Sequence, residues 1–172
     1  MIETFADPLP QDIHRQAIAL MSQACDQGVM LAVAESCTGG LLAAVLTDVE
    51  GCAHGFDRGV VAYTDEAKAD LLSVPRVILE TDGAVSPRAA EAMAVGVLEA
   101  SKADIALSVT GFAGAGAPAE EAGLVYFGLA ARSGFREVVE RRFGPQSRAA
   151  VRLGCLRTAM SLMSEGLTRE TA

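Results

Sequence analysis

Three short segments of the chain join hydroxyl, thiol or amine side chains to glycine, each after an apolar run typical of a β-strand. The first is Ala34-Glu35-Ser36-Cys37-Thr38-Gly39-Gly40, where such a run gives way to a helical pattern. A hydroxyl at the start of a helix could attack a carbonyl carbon while backbone N–H groups hold the oxyanion. The two glycines would let a ligand approach the backbone. From the residues alone, Ser36 or Thr38 is equally well explained as a helix N-cap.

The second segment, around Tyr63 and Lys68, contains a lysine whose amine could titrate. Twelve of the fourteen Lys and Arg residues are Arg, and the two lysines are Lys68 and Lys102. A partly desolvated lysine can lose its proton, whereas an arginine cannot. Tyr63, one of two tyrosines, lies five residues before Lys68 at the end of a predicted strand. The pattern indicates a titratable amine at Lys68, although an exposed lysine on a helix's first turn fits it too. Lys102 has the pattern of a solvated helix end.

The third segment follows Thr110 and is rich in small residues, from Gly111 to Gly116. Its backbone N–H groups could hold a phosphate or a ribose. It matches neither a P-loop, since no Gly-Lys-Ser/Thr follows, nor a dinucleotide fingerprint. A surface loop explains it equally well.

The cysteines and histidines predict no metal centre. Cysteines stand at positions 25, 37, 52 and 155 without a Cys-x-x-Cys spacing, and the two histidines are too few for a convincing ligand set. We therefore expect reduced thiols, no metal and no cofactor. Cys37 has two readings, a nucleophile beside a helix N-terminus or a buried structural thiol. Glu35 is expected to be a buried acceptor that shapes the turn.

Composition limits the class of protein. A chain of 172 residues fits one domain, and its net charge of −8 disfavours a nucleic-acid partner, which needs a positive surface. No apolar run approaches the roughly 18 residues of a membrane span, and the N-terminus lacks a signal-peptide pattern. We expect a cytoplasmic protein with no membrane partner. Apolar helix faces favour a homo-oligomer.

Hydrophobic periodicity predicts alternating helices and strands followed by a hairpin. The predicted strands are 30–34, 59–63, 105–109, 124–130 and 136–143. Thr64 is predicted to cap a short helix over 65–72, and the best helix begins with Ser86 as N-cap and Pro87 in its first turn. This order predicts an α/β fold, a three-layer α/β/α domain with a mixed sheet. Because ligands collect at the carboxyl ends of parallel strands, the three segments should meet at one edge.

Four motifs, in order, resemble one known family. They are the Ala34–Gly40 segment, Gly59-Val60-Val61-Ala62-Tyr63-Thr64-Asp65-Glu66-Ala67-Lys68, Gly83-Ala84-Val85-Ser86 and Val109-Thr110-Gly111-Phe112-Ala113-Gly114. The set resembles the C-terminal domain of the CinA family, from about residue 10 to 166. The resemblance implies a mixed, mainly parallel five-stranded sheet and a stand-alone single domain over 1–172. It also implies hydrolysis of nicotinamide mononucleotide to nicotinate mononucleotide and ammonia, with no cofactor.

The resemblance also assigns residues. It implies a catalytic set of Ser36, Tyr63 and Lys68, in which Lys68 takes the Ser36 proton directly or through Tyr63. Oxyanion donors are expected among the backbone N–H groups of Thr38 to Gly40. The substrate-binding residues predicted are Glu35, Cys37, Thr38, Gly39, Gly40, Arg58, Thr110, Gly111 and Gly114.

The chain departs from the family pattern at the third segment. The family has Gly-Ile-Ala-Gly-Pro and, later, Lys-Pro-Val-Gly-Thr, whereas this chain has Phe112 and Ala115, a shorter loop, and then Glu121-Ala122-Gly123-Leu124. The lost Lys and the added acidic residues Glu120 and Glu121 remove positive charge, so we expect either that a phosphate-bearing substrate binds less well or that its phosphate rests elsewhere, near Arg58. The departure also keeps open a catalytically silent module that binds a pyridine nucleotide or a protein.

Overall fold

The computed structural model describes residues 9–114 and 121–170. Within those residues, helices and strands alternate through the first half of the chain, and a β-hairpin and a long helix follow. The helices are α1 (Gln11–Gln27), α2 (Leu41–Thr47), α3 (Asp65–Leu72), α4 (Arg76–Thr81), α5 (Pro87–Glu99) and α6 (Arg148–Glu170), with a 3-10 helix at Ala53–Gly55. The strands are β1 (Leu31–Glu35), β2 (Phe56–Val61), β3 (Ile105–Gly111), β4 (Leu124–Ala131) and β5 (Arg136–Arg142).

The five strands form one mixed sheet in the order β2-β1-β3-β4-β5. β1 pairs in parallel with both β2 and β3, while β4 is antiparallel to β3 and to β5. Four strands therefore run in one direction and only β4 opposes them. The α/β class, the mixed and mainly parallel sheet and the hairpin between β4 and β5 are confirmed.

The strand register brings the chemically loaded segments together. Glu35, the last residue of β1, lies opposite Val61 on one side and Val109 on the other. The residues that follow these three positions therefore leave the sheet at the same edge. This confirms that the segments after β1, β2 and β3 meet there.

Alternation along β1 divides the core into two layers. Leu31 and Val33 pack towards α1, α2 and α6, whereas Ala32 and Ala34 pack towards α5. Successive strand side chains point to opposite faces, so a strand covered on both sides has no polar face. The result is the predicted α/β/α arrangement.

Small residues let α5 approach its neighbours closely. A Cβ added at Gly96 would lie 1.9 Å from the carbonyl oxygen of Leu72, and one added at Gly128 of β4 would lie 2.3 Å from that of Ala90. Both distances are far below van der Waals contact, so no side chain fits at either position. Leu72 ends α3, so the absence of a side chain at Gly96 lets the end of α3 pack directly against α5.

Local signals placed the helix starts well and missed the shortest elements. Thr64 caps α3 by accepting the N–H of Ala67 at 3.1 Å, and Ser86 caps α5 by accepting that of Ala89 at 3.2 Å, as predicted. The six-residue helix α4 and the 3-10 helix were not predicted, because such short stretches show too little periodicity. No helix in the described ranges is both long and apolar enough to cross a membrane.

Candidate active site

The turn after β1 is held by a buried carboxylate. Glu35 is 0% exposed, and its oxygens accept the N–H groups of Gly40 and Leu42, both at 3.1 Å, and of Ala43 at 2.8 Å. These are orphan donors at the start of α2, so Glu35 is the acceptor that caps this helix. Its expected role as a turn-shaping acceptor is confirmed. Both carboxylate oxygens are turned into the helix, so Glu35 acts on the turn, and its role as a substrate-binding residue stays a prediction.

Because Glu35 accepts these N–H groups, Ser36 is not needed as the cap of α2. The side chain of Ser36 is buried, and its N–H donates to the carbonyl of Val109 at 2.9 Å, which ties the turn to β3. Gly40 is the N-cap residue of α2, and no side-chain hydroxyl caps that helix. The reading of Ser36 or Thr38 as the helix cap is therefore wrong.

The glycines of the turn shape it, and their N–H groups are already used. Gly39 and Gly40 have φ of 62° and 92°, which favour glycine. Gly39 donates to the carbonyl of Ser36 at 3.2 Å and Gly40 donates to Glu35, so neither is available as an oxyanion donor. Within residues 9–114 and 121–170, the N–H of Thr38 has no acceptor. That N–H is the donor left from the predicted group.

Lys68 reaches this turn from the first half of α3. Its Nζ donates to Ser36 Oγ and to the backbone carbonyl of Tyr63, both at 3.2 Å. The side chain is 1% exposed, and burial lowers the pKa of the Lys68 amine below its ordinary value, although Asp65 and Cys37 oppose that change. A serine hydroxyl therefore faces a buried amine whose neutral form is favoured. This pairing can activate a nucleophile.

The backbone of Tyr63 binds Lys68, and its ring lies at the opening of a cleft beside Ser36. Its carbonyl accepts the Lys68 hydrogen bond, while the residue is 62% exposed. It also borders the cleft that contains Ser36. The phenol is thus a group at the mouth of the cleft.

Ser36 and Lys68 open into a cleft of about 260 Å³. Its lining consists of Ser36, Cys37, Tyr63, Lys68, Ala84, Val85, Thr110, Gly111, Phe112 and Arg148. Thr110 is held in place by its hydroxyl, which donates to the carbonyl of Ala84 at 2.7 Å.

Another cleft, of about 330 Å³, lies beside α5, away from Ser36 and Lys68. Arg88, Glu91 and Glu99 line it together with apolar side chains.

The structure brings Arg148 to the cleft and leaves Arg58 outside it. Arg58 lies within β2, where its Nε pairs with Asp57 at 2.6 Å. Arg148 is the first residue of α6, and its Nη1 lies 3.4 Å from the position that a Cβ on Gly114 would occupy. Gly114 thus leaves room for this guanidinium. Sequence reasoning missed Arg148 because 112 residues of chain separate it from Ser36.

A second arginine of α6 braces the turn. Arg152 donates from Nη2 to the carbonyl of Thr38, and that Nη2 lies 3.5 Å from the position of a Cβ on Gly39. Of the predicted substrate-binding residues, Cys37, Thr110 and Gly111 line the cleft, and Gly114 neighbours Arg148 of its lining. Thr38, Gly39 and Gly40 belong to the same turn as Cys37 but are not among the lining residues. The loop at 115–120 lies outside the described residues.

Comparison with known proteins identifies the family. The sequence model of the CinA C-terminal domain family matches residues 14–167 of this chain. The chain belongs to the CinA C-terminal domain family. A nicotinamide-nucleotide amidohydrolase PncC from Enterobacter agglomerans is 41% identical to this CinA-type chain over 143 residues, covering 82% of the chain and 87% of that protein.

Solved structures agree with the assignment. The competence/damage inducible protein CihA from Agrobacterium tumefaciens has 41% identity and a TM-score of 0.89, covering 94% of this chain and 99% of its own. A CinA superfamily protein from Klebsiella pneumoniae has 34% identity and a TM-score of 0.86, with 91% and 98% covered. Some relatives are much longer: a competence-damage inducible protein from Caldicellulosiruptor bescii is 48% identical over 120 residues, which span 69% of this chain but 29% of that protein.

Proposed function

We propose that this CinA-domain chain is an amidohydrolase that converts nicotinamide mononucleotide to nicotinate mononucleotide and ammonia. The observation that carries the proposal is the 3.2 Å hydrogen bond between Lys68 Nζ and Ser36 Oγ, made by a lysine that is 1% exposed. The name of the Enterobacter agglomerans relative supports the choice of substrate.

Acyl transfer begins with proton removal from Ser36. Neutral Lys68 accepts the hydroxyl proton, and Oγ attacks the carboxamide carbon. Because Nζ already touches Oγ, the transfer needs no relay through the Tyr63 phenol. The Lys68 ammonium then returns the proton to the departing nitrogen, which leaves as ammonia. Water attacks the acyl-enzyme, with Lys68 again the base, and releases the carboxylate.

The tetrahedral intermediate needs a donor next to Ser36. The N–H of Thr38 is two residues away and has no acceptor among the described residues, and the buried Thr38 hydroxyl also lacks one there. A preorganised backbone donor of this kind is worth roughly a hundredfold or more in rate. Thr38 is therefore assigned the oxyanion contact.

Other residues of the cleft suit the phosphate and the pyridinium ring of the substrate. Arg148 places a guanidinium at the cleft, which suits a phosphate. Phe112 lines the same cleft, and its backbone is fixed by hydrogen bonds to Leu124 and Gly123 at 2.9 and 3.0 Å. An aromatic face attracts the cationic pyridinium ring of nicotinamide mononucleotide.

Ammonia release from nicotinamide mononucleotide by the purified chain tests the proposal. Ser36→Ala should lower kcat by roughly a thousandfold or more while ligand binding persists. Ser161→Ala, an exposed serine on α6, is the matched control and should behave as wild type. Tight binding of the nucleotide without ammonia release would refute the proposed amidohydrolase activity and would support a catalytically silent binding module.

Tyr63→Phe separates the two proton routes. Direct transfer to Lys68 predicts less than a tenfold loss of kcat, because the carbonyl that holds Lys68 is kept. A loss as large as that of Ser36→Ala would show that the phenol carries the proton.

A further inference from the structure

The four cysteines lie as two neighbouring pairs. All four thiols are free; Cys25 and Cys52 are half-buried, whereas Cys37 and Cys155 are buried. Cys25 Sγ lies 3.6 Å from the carbonyl oxygen of Cys52. Cys37 and Cys155 form the other pair, in which each thiol shifts the pKa of its neighbour. The second pair concerns the cleft.

Helix α6 places Cys155 against the catalytic turn. Residues three apart on a helix share a face, and Cys155 follows Arg152 by three. Arg152 donates to the carbonyl of Thr38, so this face of α6 lies against the turn next to Cys37. Cys37 and Cys155 belong to the same buried core cluster, which agrees with that placement.

Cys37 is nevertheless within reach of a small molecule. It is 4% exposed and lines the cleft beside Ser36 and Lys68. Cys155, at 0% exposure, is not among the residues that line the cleft. One thiol of the pair therefore faces the cleft and the other stands behind it.

The electrostatic surroundings give the two thiols different roles. The Cys155 thiol, the N–H of Cys37 and the positive charge of Arg148 lower the pKa of the Cys37 thiol, against burial and the charge of Glu35. The neighbouring Cys37 thiol, together with burial, raises the pKa of Cys155. Cys37 is thus favoured as the thiolate and Cys155 as the proton donor.

We propose that Cys37 is a peroxide-modified site in this cleft and that Cys155 resolves the modified form to a Cys37–Cys155 disulfide. The oxidant is a small hydroperoxide, with hydrogen peroxide as the simplest member. The cleft, the thiol pair and the facing surface of α6 carry this inference. It does not require the amidase reaction proposed above.

The chemistry balances in two steps. The Cys37 thiolate attacks one peroxide oxygen; an S–O bond forms, the O–O bond breaks, and the released hydroxide takes a proton to become water, leaving a sulfenic acid. Cys155 sulfur then attacks Cys37 sulfur; the S–S bond forms, the S–O bond breaks, and the leaving hydroxide takes the Cys155 proton as water. Two thiols are oxidised and one peroxide is reduced to two waters.

A disulfide would alter the catalytic turn directly. The two sulfurs must approach to about 2.05 Å for the bond to form, which draws the Cys37 backbone towards α6. Ser36 precedes Cys37, so its Oγ moves relative to Lys68 Nζ. Oxidised protein should therefore lose most of its turnover, and a thiol reductant should restore it.

The test is peroxide treatment of the reduced chain, read by intact mass and peptide mapping. Wild type should lose about 2 Da and yield one Cys37–Cys155 peptide, reversibly. Cys155→Ala and the more nearly isosteric Cys155→Ser should instead gain about 16 Da at Cys37, trapped by a sulfenic-acid reagent. The double variant Cys25→Ala/Cys52→Ala is the matched control and should behave as wild type.

Several results would overturn the proposal. They are no mass change in wild type, a disulfide confined to Cys25 and Cys52, or the same product in the Cys155 variants as in wild type. Circular dichroism confirms that each variant is folded before oxidation. Because mass reports the bond without any substrate, failure here is distinguishable from failure of the proposed amidase activity.

Discussion

Replacing Lys68 by Met removes the amine from the active site while keeping a side chain of similar length. The amine makes two hydrogen bonds, to Ser36 Oγ and to the Tyr63 carbonyl. Loss of a general base typically costs a factor of about 10² to 10⁴, or about 3 to 5 kcal/mol of transition-state free energy. We expect kcat/KM for nicotinamide mononucleotide to fall by that factor.

Stability should change far less than activity in this variant. Two hydrogen bonds of about 1 kcal/mol each are lost, and removal of a buried amine offsets part of that loss. The free energy of unfolding should therefore stay within about 2 kcal/mol of wild type. Urea unfolding measures this, and a folded, inactive protein is the expected result.

The pH profile supplies an independent readout. Burial lowers the pKa of Lys68, so the neutral base accumulates as pH rises through a value below the ordinary one for lysine. Wild-type kcat/KM should rise with pH along this acid limb, and the limb should disappear in Lys68→Met. Lys102→Met, at an exposed position, is the matched control and should keep both rate and limb. A Lys68→Met rate within tenfold of wild type, or an unchanged acid limb, would refute the base assignment.

Three further substitutions test how the site is held. Glu35→Gln weakens the acceptor of three helix N–H groups, and urea unfolding should show a loss of about 2 to 3 kcal/mol. Gly96→Ala forces its Cβ against the Leu72 carbonyl and displaces α3; we expect a loss of about 1 to 3 kcal/mol in unfolding and a lower kcat, since α3 carries Lys68. Phe112→Leu removes the aromatic face, and steady-state kinetics should show KM raised about 3- to 10-fold with kcat nearly unchanged; an unchanged KM would exclude ring stacking.

Much of the fold was predictable because its signals are local. Thr64 and Ser86 are short polar residues ahead of helical patterns, and both cap the helices as expected. A strand such as β1, apolar from Leu31 to Ala34, indicates burial on both faces. The unpredicted α4 has six residues, which are too few to show a helical period.

The candidate site, too, was predictable from the sequence only in part. Residue type and order alone singled out Ser36 as a possible nucleophile and Lys68 as a titratable amine, because hydroxyl, amine and glycine chemistry is carried by the side chains themselves. Whether Ser36 capped a helix or faced a base depended on where the carboxylate of Glu35 went. Only the tertiary structure decided that, by turning Glu35 into α2 and bringing Lys68 Nζ to 3.2 Å from Ser36 Oγ. Arg148 and Cys155 also reach the site from α6, since packing a distant helix against the sheet brings together residues that no local pattern relates.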